Sequence, residues 1–132
     1  MINLSEKIGE IEQDNLITDL TPKVETRGRT IRKAAEATVL KRGTILAMSS
    51  GEGGDGKLVV LGTEAGKDET LTPDCVLCDD TAIDNTADVE AIVYTAGCFN
   101  TSRVTVKEDY EMTAADFDAL RKYGIVFKAA AE

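Results

Sequence analysis

Apolar positions along the chain come in short runs set apart by glycine, proline and charged stretches, the pattern of a small sheet domain. Residues 38–47 read as extended chain bent at Gly43, where a bulge or tight turn is cheap without a Cβ. Residues 49–56 form a glycine-rich loop, and Lys57-Leu58-Val59-Val60-Leu61 is β-branched and apolar enough for a buried strand. Residues 74–78 and 91–100 carry the same signal. Residues 30–37 stay open between helix and strand, because Ala34-Ala35-Glu36-Ala37 favours helix while its neighbours favour strand.

One helix is well marked near the C-terminus. Thr113 is an N-cap, and Asp116 three positions later can complete a capping box. Asp116 and Asp118 sit at the start and Arg121 and Lys122 at the end, matching the helix dipole. Phe117 and Leu120 face one side, Gly124 supplies a left-handed stop, and Ile125-Val126-Phe127 reads as a final strand. No alternation of strand and helix appears, so the fold class expected is α+β, mostly β, with one C-terminal helix.

Residues 1–30 differ from the rest. Leu4, Ile8 and Ile11 could stripe a helix that Gly9 interrupts, and Leu16, Ile17 and Leu20 follow in short apolar pairs without a sustained period. The expectation is a flexible N-terminal arm over residues 1–30, with too little apolar surface to fold alone, and a β-rich domain over residues 31–132. Those six apolar side chains are the candidate contacts of the arm with a partner, through strand addition to a sheet edge.

Composition narrows the function. The 132 residues suit one domain with a modest core, and 24 acidic against 15 basic residues give a net charge of −9. Such a chain is repelled by bare phosphate backbones, which argues against nucleic-acid binding. No apolar run approaches the ~20 residues a membrane span needs, and the first twelve residues lack a secretory signal's basic start and apolar stretch. Three cysteines, an odd number, fit free thiols in a reducing cytoplasm.

Several stretches imitate known chemistry and fall short of it. Gly51-Glu52-Gly53-Gly54-Asp55-Gly56-Lys57 fits the core of a phosphate-binding loop. Leu58 stands where the magnesium-binding hydroxyl belongs, two acids would repel phosphate, and a strand rather than a helix follows. A hairpin loop is the better reading. Cys75, Cys78 and Cys98 give three thiols with no histidine in the chain, short of a four-ligand zinc site, and read as buried small hydrophobes. Asp79, Asp80, Asp84, Asp88 and Glu90 lack the order of a calcium loop and read as a solvated acidic stretch. Without histidine there is no ordinary serine or cysteine triad, and the chain reads as no enzyme.

Four stretches in order resemble the lambda-type bacteriophage head decoration family. They are Leu4-Ser5-Glu6-Lys7-Ile8-Gly9 with Asp14-Asn15-Leu16-Ile17; Leu40-Lys41-Arg42-Gly43-Thr44-Ile45-Leu46; Lys57-Leu58-Val59 before the stretch from Thr72-Pro73 to Asp80; and Asp88 with Ala91 to Asn100, leading to the helix that ends at Gly124-Ile125. Ala34-Ala35-Glu36-Ala37 departs from a glycine-containing turn, and the cysteines are not family requirements. The resemblance implies a β-clip-like fold and a homotrimer on threefold sites of the expanded head. The trimer would bind the major capsid (coat) protein on the outer surface of the virion after assembly in the host cytoplasm. It implies no cofactor, no nucleic-acid contact and no membrane. A second class remains open, because short β-clip domains with a Lys-Arg-Gly-Thr turn also resemble sugar-acid-binding modules. There a polar pocket near Arg42 and Lys57 would hold a carboxylate.

Overall fold

A computed structural model describes residues 16–19 and 23–128. Among the described residues, nine strands and one helix follow in chain order. β1 spans Ile17–Asp19, β2 Glu25–Ile31, β3 Thr38–Leu40, β4 Ile45–Ser50 and β5 Leu58–Val60. β6 spans Thr70–Leu77, β7 Thr81–Ile83, β8 Val89–Asn100, α1 Ala114–Lys122 and β9 Ile125–Lys128.

The hydrogen-bonded strand order β8-β2-β5-β4-β6 returns to β8, because β6 also pairs with it, and this closes a small barrel. Closure leaves the five strands no open edge in that circuit. β8 is twelve residues long and serves two halves of the molecule. Its first part pairs with β2 from Val89 to Ala96, and its last part pairs with β1 on one side and β9 on the other. β3 and β7 form a separate two-stranded sheet. The mostly β fold with one C-terminal helix expected from the pattern is observed, as a small barrel-like domain that fits the β-clip-like fold the resemblance implied.

The core takes consecutive as well as alternate residues, because parts of β4, β6 and β8 are buried on both faces. Ile45, Leu46, Ala47, Leu58, Cys75, Val76, Leu77 and Val93 are all fully enclosed, and Phe99 lies among them at 0% exposure. Tyr94, Phe99, Phe127 and Phe117 make a chain of tilted and edge-on ring contacts with centroids 5.3 to 6.2 Å apart. This chain ties the barrel strand β8 to β9 and to α1. Leu120, fully buried, anchors the helix.

Local signals act where the sequence placed them. The Thr113 hydroxyl accepts from the Asp116 N–H, and the Asp116 carboxylate accepts from the Thr113 N–H, a complete capping box. The Tyr110 hydroxyl also donates to Asp116, which pushes the phenol up to about 12. Gly124 adopts φ +98 after the helix, and Gly43 adopts φ +95 in the turn before β4. A Cβ on Gly43 would stand 2.7 Å from the Arg103 carbonyl oxygen, so the turn needs glycine twice over.

Residues 32–37, open between helix and strand in the sequence, are neither: they cross irregularly from β2 to β3, with the Ala34 N–H donating to Asp84. Ordinary helix propensity yields there to the need to reach β7. β6 begins four residues earlier than residues 74–78 suggested, because Thr70 to Pro73 pair with the end of β4 despite the proline. The N–H that proline lacks is lost beside a register shift between Leu46 and Ala47, where the ladder is already irregular.

Because Phe99 links both halves of β8 and the aromatic chain, Phe99→Ala should destabilise the domain by about 3–5 kcal/mol, the range for large buried aromatics. Urea unfolding measures this; a loss under about 1 kcal/mol would mean that the two halves are not coupled through that ring.

Candidate functional site

Among the described residues, a connected set of charged side chains meets around Arg32. Arg32, just past β2, donates from Nε and Nη2 to both Asp55 carboxylate oxygens at 2.8 and 3.0 Å. The same guanidinium donates to Glu69, which also accepts from the Ser49 hydroxyl and from the Gly66 N–H. Three connections are thereby tied together: the one after β2, the β4–β5 loop and the β5–β6 loop. The Glu69 side chain is only 5% exposed while Arg32 and Asp55 are open to solvent at 27% and 36%, so the network is shielded at its Glu69 end and wet at its Asp55 end.

The network sets the titration of its members. The Arg32 hydrogen bonds hold Asp55 down to about 2. Glu69 is held down to about 2 by the Gly66 N–H first, then by Ser49 and Arg32. Next to it, Lys57 Nζ lies 2.5 Å from Asp88, whose carboxylate also accepts from the Lys33 N–H. A fourth connection, between β7 and β8, is joined to the other three through this pair.

The phosphate-loop imitation resolves as a β4–β5 hairpin loop whose Asp55 and Lys57 are spent on Arg32 and Asp88. The acidic stretch is divided among separate tasks. Asp80 accepts from the Arg42 N–H, Asp84 accepts from the Thr86 N–H and hydroxyl, and Glu90 accepts from the Thr30 hydroxyl. Cys75 and Cys98 are buried and Cys78 is half-buried, all three as free thiols; burial pushes the Cys75 thiol up.

Arg42 and Lys57, the pair that a carboxylate pocket would need, are not drawn to one site. Arg42 donates to the Cys78 carbonyl and the Tyr94 hydroxyl, with its guanidinium 5.4 Å from the Tyr94 ring centre, while Lys57 serves Asp88. A groove of about 830 Å³ runs between residues 31–41 and 105–108, and a cleft of about 410 Å³ lies beside Arg27, Arg29 and Asp74. Neither Arg42 nor Lys57 lines either of them.

Of the six arm candidates, Leu4, Ile8, Ile11 and Leu20 lie outside the described residues. Leu16 and Ile17 are buried at 1% and 7% exposure, with the Leu16 carbonyl accepting from the Asn100 N–H and Ile17 paired with Phe99. β2 also lies within residues 1–30 but for its last residue, Ile31, and is paired along its whole length with β8. Within the expected arm, Ile17–Asp19 and residues 25–30 are therefore paired with β8, which supplies contacts that a local period could not reveal.

The Arg32 network was missed by sequence reasoning. Its members are 23 and 37 positions from Arg32, and no spacing rule connects loops that only barrel closure brings together.

Fold and network define a small, cross-braced β-barrel-like structural domain. Residues 8–125 match the sequence model of the family described as bacteriophage lambda head decoration protein D, and the chain belongs to that family. A search of curated proteins returns no match. The chain is thus a structural protein of the phage head, with the capsid as its partner.

Both network acids have folded-state pKa values below their ordinary ones, so their contribution is full above the ordinary carboxylate range near 4 and is lost as pH falls toward 2. Glu69→Gln should lower the melting temperature at pH 7, with the gap to wild type closing by pH 2. Melting curves at pH 7, 4 and 2.5 check this; a gap independent of pH would remove the charge from the explanation.

Proposed function

We propose that this protein is a cement for the expanded phage head: three copies close about threefold sites, bridge neighbouring coat subunits from outside, and hold the shell against packaged DNA. Membership of the head decoration family is the observation that carries this reading. It involves no catalysis, no cofactor, no nucleic acid and no membrane; the described helix is not long and apolar enough to cross one.

In this reading the N-terminal arm, with Leu4, Ile8 and Ile11, takes hold of the coat by adding a strand to one of its sheet edges. Support comes from where the arm is rooted. β1 ends the strand order of the larger sheet, and the buried Leu16 beside Asn100 gives residues 1–15 a fixed origin on the domain. Three arms on one trimer act at high effective concentration, which turns weak single contacts into a durable hold. Leu16 and Ile17 belong to the fold in this division of labour, and the residues before them belong to the partner.

Deleting residues 1–15 should leave a folded trimer of wild-type melting temperature whose co-sedimentation with expanded heads falls at least about tenfold. Full occupancy by the truncated protein would move the coat contact into the folded domain. A strict monomer at every concentration, on heads as well as in solution, would sink the trimer.

A further inference from the structure

The groove between residues 31–41 and 105–108 has an apolar floor and a basic rim. Ile31, Val59 and Ile83 line it at 1%, 8% and 7% exposure, and Val39 stands half exposed on one wall. Four cations, Arg32, Lys33, Lys41 and Lys107, line it against two acids, Glu36 and Glu108, which reverses the balance of a chain whose net charge is −9. Arg32 is spent on Asp55 and Glu69, and Lys41 stands 3.7 Å from Asp80. Lys33 and Lys107 have no carboxylate within ion-pair reach of their ammonium groups among the described residues. Two unanswered positive charges beside apolar surface suit an occupant that is both acidic and apolar.

The chain itself supplies such a segment and delivers it to the groove. Residues 1–15 carry Glu6, Glu10, Glu12 and Asp14 against Lys7, with Leu4, Ile8 and Ile11 among them. Their root is fixed, because the Leu16 carbonyl accepts from the Asn100 N–H and Ile17 pairs with Phe99. A Leu16 methyl lies 3.2 Å from the place where a Cβ on Gly43 would stand. Thr44, next in the chain, lines the groove, and so does Thr105, whose N–H donates to the Gly43 carbonyl at 3.0 Å. The segment therefore starts at the mouth of the groove. Fifteen residues span at most about 50 Å, ample to enter it.

We propose that this groove is a berth for the chain's own residues 1–15, with Ile8 and Ile11 over its apolar floor and Glu6, Glu10 and Glu12 facing Lys33 and Lys107. The inference rests on the preceding reading only for the arm's destination: groove and coat compete for one segment. The hold is weak by construction. A tethered segment acts at an effective concentration in the millimolar range, so contacts of about millimolar strength favour the docked state only a few-fold. Heating releases such a segment before the domain unfolds, which leaves the melting temperature to the core. Before a head is met, the berth covers Val39 and the arm's own apolar groups. At the head, a coat edge that offers a backbone ladder draws the arm out.

Amide hydrogen exchange on the full chain, with no heads present, tests the berth apart from the coat. At low salt the amides of residues 4–12 should exchange at least about threefold more slowly than in a free peptide of residues 1–15. A double variant, Lys33→Glu with Lys107→Glu, should lose that protection, and so should Val39→Asp. All three residues are exposed, so circular dichroism should report an intact fold in both proteins. Arg27→Glu, an exposed charge reversal outside the groove, should keep the protection. Free-peptide rates in the wild type overturn the berth, as does protection that survives in either groove variant or disappears equally in Arg27→Glu. Such a failure leaves the coat reading standing, because no head enters the measurement. Full head occupancy by the protein lacking residues 1–15 sinks the coat reading instead and leaves the berth.

Discussion

Everything in this fold depends on β8 finding its partners. It hydrogen-bonds to β1, β2, β6 and β9, and two of those contacts, β6 and β2, are what close the barrel. A strand shared in this way cannot be shifted by one residue without reversing every side chain it presents. Val93 would turn to the side on which Glu90 and Ile92 are exposed, and the aromatic chain from Tyr94 through Phe99 to Phe127 and Phe117 would be broken. Register is therefore set by burial on several sides at once. The N-terminal segment profits from it: Leu16 and Ile17 are held because β8 offers them a ladder and Phe99 a partner.

A small barrel has a modest core, and its loops are the part least held by that core. Here four connections at one end are tied by Arg32, Asp55, Glu69, Lys57 and Asp88, with Ser49 and Gly66 completing the hydrogen bonds of Glu69. Isolated surface ion pairs contribute little, but a forked arginine shared by two acids, one of them almost enclosed, loses less to solvent and to side-chain entropy. For a protein of the phage head, rigidity of the domain is itself useful, since a brace that deforms transmits no restraint to its neighbours.

Much of this was legible along the chain. The helix from Thr113 to its stop at Gly124, the final strand, the bend at Gly43 and the buried strands around Leu58, Val76 and Val93 all stand where local rules put them. The weakness of the phosphate-loop imitation was also visible, since Leu58 and the two acids are properties of the sequence itself. Residues 32–37 were not legible, because alanine-rich sequence is content in a helix, whereas here the stretch crosses from β2 to β3 with Ala34 bonded to Asp84.

The sequence by itself determined the C-terminal helix, the final strand and the apolar strands around Leu58, Val76 and Val93, though not β1, β2 or β7, together with the absence of histidine and the ordered stretches that carry the family likeness, because each depends on residues near one another or on their order along the chain. Tertiary structure alone decided that Leu16 and Ile17 are core, that Arg32 gathers Asp55 and Glu69, and that Leu16 stands beside Gly43 at the mouth of a groove. Each of these joins residues that no local period relates. Only the closure of the barrel around β8 brings them within reach, and burial then gives the contacts their strength.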